Sequence, residues 1–279
     1  MNNFECYKLR KAGLKNHQVL NIIQYFKVNK TSMSLRNMAV ASECTDPIKF
    51  MESYKQLNTK ALRKEFTKFP SISILDKSYP DLLKQIYNPP VLLFYQGDIE
   101  LLAYPKLAVV GSRSASKQGI EETHKIIEEL GNQLVIVSGL ARGIETAAHL
   151  STLKQGGQTI AIIGSGFNHF YPKENQRLQK FIASNHLLLS EYGPDDPPHA
   201  HHFPERNRIV AGLVRAILVI EAKSRSGSLM TCQIGLENGR EVLALPGNIG
   251  HGFSGGCNQL IKDGAKCVTN GFDVLSELF

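Results

Sequence analysis

The chain has 279 residues, 42% of them hydrophobic, five cysteines and a net charge of +7. That length buries a large core in one or two domains without covalent staples. Five scattered cysteines with no C-x-x-C exclude a disulfide frame or a zinc site and point to reduced thiols. No apolar run approaches the length of a membrane span, and MNNFECYKLRKAGLK lacks a signal-type apolar stretch, so the expectation is a cytoplasmic protein with no membrane insertion.

Residues 1–90 read as a small helical N-terminal domain. Val19, Ile22, Ile23 and Phe26 share one helical face, as do Phe50, Met51, Tyr54 and Leu57, with breaks near Gly13, Asn29–Ser34 and Asp46-Pro47. Pro70, Pro80, Pro89 and Pro90 punctuate a connecting segment, and VLLFYQGD (91–98) reads as a strand. The charge is uneven. Residues 1–105 hold 15 Lys and Arg against 9 Asp and Glu, a balance of +6, whereas 106–279 hold 17 against 16, a balance of +1. A basic N-terminal part suits an acidic partner such as nucleic acid, although an excess this small also describes an ordinary solvated surface.

From Leu107 the pattern changes. Apolar runs begin at residues 107, 134, 160, 187, 217 and 242, a spacing that fits one strand, loop and helix per unit. Ile120, Ile126, Ile127 and Leu130 share one helical face between two runs; Leu178, Phe181 and Ile182 share another. The prediction for residues 91–279 is an α/β domain with an extended Rossmann-like, doubly wound, mostly parallel sheet. Four runs stop in glycine-rich loops, LAVVGSRS, LVIVSGLARG, IAIIGSG and VLALPGN. Right-handed crossovers put these loops on one edge, where glycine lets backbone approach a ligand and helix-start amides suit an anion.

Two familiar nucleotide sites do not fit. There is no G-x-x-x-x-G-K-[ST], which excludes an ordinary P-loop. The first strand ends in G-S-R-S-A-S rather than G-x-G-x-x-G, and the second carries no terminal acid, which argues against a nicotinamide dinucleotide; no cofactor is expected. What remains is Gly111-Ser112-Arg113 and Ser138-Gly139-Leu140-Ala141-Arg142-Gly143, each joining glycine, hydroxyl and arginine at a helix start. Such loops favour a phosphate, which arginine grips with two donors. The competing reading, glycines for tight turns and arginines paired to carboxylates, is weaker for two loops on one edge than for one.

Lys173, in FYPKEN, can add a point charge to that edge, and Tyr171 can stack on a base. Arg206 and Arg208 flank Asn207; on a helix they face different ways, so one is expected to face the ligand and the other to be held internally by Glu191 or Glu221. Gly227 and Ser228 start another helix and add amide and hydroxyl donors. His199, His201 and His202 lie in a proline-rich loop without a spaced partner, so no metal is expected. His149 reads as structural, and no catalytic triad is defensible from spacing.

In order, GSRSAS, SGLARGIETAAH, FYPKEN, SEYGP, FPERNRIVAGL, SGSLMTC and GR-EVLALPGN with GGCNQLIKDGA resemble the DNA-processing A (DprA/Smf) family, most of all its members from competent streptococci and lactococci. The helical N-terminal region resembles the sterile-alpha-motif-like domain of some members. The resemblance implies a non-enzymatic homodimer that binds incoming single-stranded DNA in natural transformation and loads RecA recombinase onto it, with a competence response regulator as a further partner in streptococcal relatives. By motif, the DNA-contacting candidates are Arg113 and Lys173, with Gly111, Ser112, Ser138, Gly139 and Arg142 in support; Asn175, Arg206, Asn207, Arg208, Gly227 and Ser228 either touch DNA or hold the pocket. Many members continue into a C-terminal winged helix that has no counterpart in this sequence, and the family's usual aspartate after Gly-Ile is Glu145. The alternative is a nucleotide enzyme akin to the nucleoside-monophosphate phosphoribohydrolases, but Thr231 stands where those carry a catalytic glutamate, and a threonine cannot serve as a carboxylate base.

Overall fold

A computed structural model describes residues 1–29, 32–250 and 252–279. Five short helices open the chain: α1 (Asn3–Lys11), α2 (Asn16–Val28), α3 (Leu35–Ala41), α4 (Pro47–Gln56) and α5 (Thr59–Phe66). Their starts follow local chemistry. Asn2, Ser34, Asp46 and Asn58 each accept a hydrogen bond from an amide three residues on, and Pro47 stands at the first turn of α4, where its missing N–H costs nothing. The expected break at Asn29–Ser34 falls partly outside the described residues.

One sheet of nine strands organises the rest. An edge strand, β1 (Ser71–Ser73), leads through the short helix α6 (Asp81–Lys84) to β2 (Leu92–Gly97), and the two pair antiparallel. Then come β3 (Lys106–Val110), α7 (Lys117–Leu130), β4 (Val135–Ser138), α8 (Ile144–Lys154), β5 (Thr159–Ile163), α9 (Gln176–Asn185), β6 (Leu187–Ser190), α10 (His202–Gly212), β7 (Ala216–Val219), α11 (Gly227–Glu237), β8 (Glu241–Ala244), α12 (Gly255–Lys262), β9 (Lys266–Cys267) and α13 (Gly271–Ser276). The spatial order is β1-β2-β6-β5-β4-β3-β7-β8-β9, parallel from β6 to β9. Strand order reverses between β3 and β7, which opens a crevice at their carboxyl ends.

Both faces of the sheet are covered over its central strands β3 to β7, which is why those sequences are almost wholly apolar. Ala108, Val110, Val137 and Ile162 pack one way, against α10 and α11 residues such as Ile209, Val210 and Cys232; Leu107, Val109 and Ile136 pack the other way, against Ile126, Ile127, Ile144 and Ala148 of α7 and α8. On α9, Leu178 and Ile182 are buried as expected, but Phe181 is half exposed.

The expected boundary at residue 90 needs adjustment, because the sheet begins at Ser71, ahead of it. Nor do the opening helices stand apart. Leu9, Val19, Ile22 and Phe50 share an apolar cluster with Leu92, Phe94 and Ile163 of the sheet. Tyr7 and Phe66 pack their rings on Phe94 at 5.3 and 5.7 Å. Lys11 reaches Asp196 at 2.6 Å, and Asn16 hydrogen-bonds Glu191. A sheet face that would otherwise be wet is the physical reason for this docking.

Candidate nucleic-acid interface

Three loops at the carboxyl edge and the first turns of α10 enclose a cavity of about 140 Å³. Arg113 and Ser114 come from the β3–α7 loop, Gly139, Ala141 and Arg142 from the β4–α8 loop, Tyr171 and Pro172 from the segment after β5, and Phe203 and Arg206 from α10. Ser114 and Pro172 fall within the quoted motifs GSRSAS and FYPKEN but were not singled out as candidates; the signal available was that each directly adjoins a charged or aromatic one.

The floor is set by Arg206. Its side chain is only 2% exposed, its Nη1 donates to the Ile162 carbonyl at 2.9 Å, and Glu145 Oε2 lies 3.7 Å away. Its Nε has no hydrogen-bond partner among the described residues. Burial weakens the hold of this guanidinium on its proton; Glu145 opposes that effect and the neighbouring Arg113 reinforces it. The cation under the cavity is therefore incompletely neutralised, and a second cation stands beside it. Gly139 explains how it fits. A Cβ there would sit 1.1 Å from Arg206 Nη1, so the glycine makes room for a side chain.

The rim carries flat and charged groups. Tyr171, 49% exposed, faces Phe203 with ring centres 4.9 Å apart, and the Arg113 guanidinium lies 5.9 Å from the Phe203 centroid. Arg142 is ion-paired with Glu174, which raises its proton affinity chiefly through their hydrogen bond, but both side chains are exposed and such a pair yields readily to another anion. Lys173 follows the lining residue Pro172 but is not itself part of the lining; it is exposed and has no acidic side chain within 4.0 Å among the described residues.

The loops differ from the expectation that bare amides cradle an anion. The Ser112 amide donates to the Glu221 carbonyl at 2.7 Å, the Ile144 amide to the Ser112 carbonyl at 3.2 Å and the Ala141 amide to Glu145 Oε2 at 3.0 Å. Gly111 and Gly143 serve close packing of one loop on another: a Cβ would come within 2.6 Å of Ile144 Cγ1 at the first and within 2.1 Å of the Ser112 carbonyl at the second. The Ser138 hydroxyl is buried and donates to the Val109 carbonyl at 2.6 Å. Asn175 is also internal; its Nδ2 donates to the Leu140 carbonyl at 3.0 Å and to Thr146 Oγ1 at 2.7 Å, holding Leu140 in the left-handed region at φ 60°. At these positions the backbone supplies rigidity, and the fixed charge comes from side chains such as Arg113 and Arg206.

The family model described as "DNA recombination-mediator protein A" matches residues 71–279, and the sterile alpha motif domain of DNA processing protein A matches residues 1–62. The chain belongs to this family. Its role lies in DNA processing. DNA processing protein DprA of Streptococcus pneumoniae is 55% identical, over 99% of this chain and 98% of that one. The X-ray structure of that protein superposes with a TM-score of 0.97 over the same shares of the two chains. DNA processing protein A from Helicobacter pylori, 29% identical, superposes with a TM-score of 0.67 over 76% of this chain and 97% of that one; its structure is described as a single-stranded DNA binding mode.

Within this family member the structure separates candidates that the sequence grouped. Arg208 is the internally held arginine. Its two terminal nitrogens donate to Glu191 at 2.7 and 2.9 Å, and its Nε donates to the Asn88 carbonyl at 3.0 Å. Glu221, the other anticipated holder, instead accepts from the Ser116 amide at 3.0 Å. Arg206 faces the cavity from below, and Asn207, half buried, lies outside its lining. Gly227 and Ser228 begin α11 beyond β7 and do not reach this cavity; the Ser228 hydroxyl hydrogen-bonds Ser226 Oγ at 2.8 Å. The histidines pack among themselves: His202 stacks on Tyr192 at 3.7 Å and hydrogen-bonds the Gly164 carbonyl, while His199 and His201 stack on each other at 5.7 Å. His149 is wholly buried against Thr159 Oγ1 at 2.7 Å.

Proposed function

We propose that this cavity holds the backbone of single-stranded DNA, and that the protein acts in natural transformation by binding the incoming strand and loading RecA recombinase onto it. The observation that carries the reading is the buried, incompletely neutralised Arg206 beside Arg113 under an open aromatic rim. A phosphate between Arg113, Arg142 and Lys173 supplies the missing negative charge. Tyr171 and Phe203 offer faces on which a base stacks, worth about 1–3 kcal/mol each, without reading its edge. Binding is then sequence-tolerant and salt-sensitive.

A cavity of about 140 Å³ contacts only a small part of a strand, so one site alone is weak. A two-fold dimer sets two sites on one strand and gains affinity through avidity. No bond-breaking step is part of this reading: Thr231, at the position where the phosphoribohydrolases carry a carboxylate, is buried in α11. The helical N-terminal region is proposed to take the protein partner, a competence response regulator, and the resemblance to streptococcal members supports that assignment.

The test is a gel shift of the wild type and an Arg113→Ala/Lys173→Ala variant on single-stranded and duplex DNA at two salt concentrations. Loss of single-strand binding in the variant is expected. Equal binding by both proteins sinks the site, and a preference for duplex sinks the strand selectivity. RecA loading is read as faster RecA filament formation on the strand. Release of free base from AMP or CMP would restore the enzyme reading.

A further inference from the structure

The β3–α7 loop and the first turn of α7 form a wall between two cavities. Arg113 and Ser114 line the one described above, whereas Ser116, Gln118 and Gly119 line a second, of about 190 Å³, closed by the ends of β7 and β8 and by Phe253. It lies at the switch between β3 and β7, the place where open α/β sheets hold ligands.

Its chemistry differs from that of its neighbour. Ile220, Leu245 and Pro246 form apolar walls, and the half-buried Phe253 ring gives a flat one, with Lys223 Nζ 5.2 Å from its centroid. Among its polar lining residues, which include Glu122, Asn248 and Ser254, the buried carboxylate is Glu221, 3% exposed, with no cationic side chain within 4.0 Å among the described residues. Oε2 accepts from the Ser116 amide at 3.0 Å and from the Ser116 hydroxyl at 3.2 Å, whereas Oε1 has only a 3.4 Å contact to the same amide. Gly119 leaves the space the carboxylate occupies, since a Cβ there would lie 2.1 Å from Oε2. A buried carboxylate with an underused oxygen repels phosphate and seeks N–H donors; the apolar and aromatic walls select a flat heterocycle to bring them.

We propose that this second cavity binds a nucleobase that carries an exocyclic amino group, through the free oxygen of Glu221. Cytosine, adenine and guanine present such donors, and thymine does not. The base belongs either to the strand held in the first cavity, a version that rests on the DNA reading above, or to a free nucleotide.

The experiment titrates deoxycytidine, deoxyadenosine and thymidine, which lack phosphate, into the wild type, Gln118→Trp and Glu221→Gln, followed by NMR or calorimetry. Gln118 is exposed at the rim, so the tryptophan plugs the mouth and leaves the core intact. Deoxycytidine and deoxyadenosine are expected to bind at least about fivefold tighter than thymidine. Gln118→Trp abolishes this binding and Glu221→Gln narrows the preference. Equal affinity for the three nucleosides, or a preference unchanged in Gln118→Trp, overturns the proposal. A preference for oligo-dC over oligo-dT that Gln118→Trp removes assigns the base to the strand; nucleoside binding without it assigns a free nucleotide. Failure of the wild type to bind oligo-dT sinks the DNA reading instead, and the nucleoside titration still decides this one.

Discussion

Arg206 and Arg208 stand two residues apart on α10, and both are buried, but they are paired unequally: Glu145 lies 3.7 Å from Arg206, whereas Arg208 makes two close contacts to one carboxylate. Arg208 has Glu191 in a bidentate contact, with burial working against both charges and their mutual attraction prevailing, so the carboxyl is held below its usual range. Removing one partner strands the other: Glu191→Ala is expected to cost about 3–5 kcal/mol in urea unfolding. Acid should act in two windows. Burial pushes His149 down to about 3, so the unfolded chain binds a proton that the fold refuses, and stability falls from the ordinary histidine range downwards. Glu191, with its pKa depressed, contributes stability that is present above the ordinary carboxylate range and lost as pH falls through its folded value. His149→Gln should flatten the upper part of a stability-versus-pH curve and Glu191→Gln the lower part; coincident curves for all three proteins would refute the assignment. Gly139→Ala is expected to lower the melting temperature and single-strand binding together, because the added methyl must displace the Arg206 guanidinium.

At the scale of elements, the loops between strand and helix carry the site, and they are locked to one another. Asn175→Ala frees the Leu140 carbonyl and the Thr146 hydroxyl, both bonded to its amide. The expected cost is about 1–3 kcal/mol of stability, with weaker DNA binding, and calorimetry with a gel shift reads both. Phe203→Ala should weaken single-strand binding by about 1–3 kcal/mol without changing its salt dependence, since stacking releases no counterions. The central strands were legible from their apolar runs, because burial on both faces leaves those runs uninterrupted, whereas the short edge strand Ser71–Ser73 carries no such run. Loop roles were less legible. Gly139 reads as a turn glycine beside an anion, yet it yields its space to an arginine 67 positions along the chain. Spacing also could not say which of Arg206 and Arg208 faces the ligand, because both point inward and only the positions of Glu145 and Glu191 distinguish them.

For the whole molecule, the opening helices and the sheet share one apolar cluster, and polar ties such as Lys11 with Asp196 and Asn16 with Glu191 join them. Thermal unfolding is therefore expected as a single transition; two separated transitions in calorimetry would contradict the shared core. Single-strand affinity should fall steeply with salt, and Arg113→Ala/Lys173→Ala should lower the slope of log K against log salt by roughly 0.7 for each phosphate that is no longer neutralised.

The sequence by itself determined the serial strand–helix winding, the loops at one edge, the family and the residue types available for an anion, because these depend on local periodicity and on motifs in order. Only the tertiary structure decided that Gly227 and Ser228 lie away from the cavity, that the Ser112, Ala141 and Ile144 amides are already engaged, and that Arg206 sits as a buried charge beside Arg113. Those outcomes depend on which distant atoms meet once the sheet is assembled, and on the cost of burying a charge without a full partner, neither of which is written in the spacing of residues along the chain.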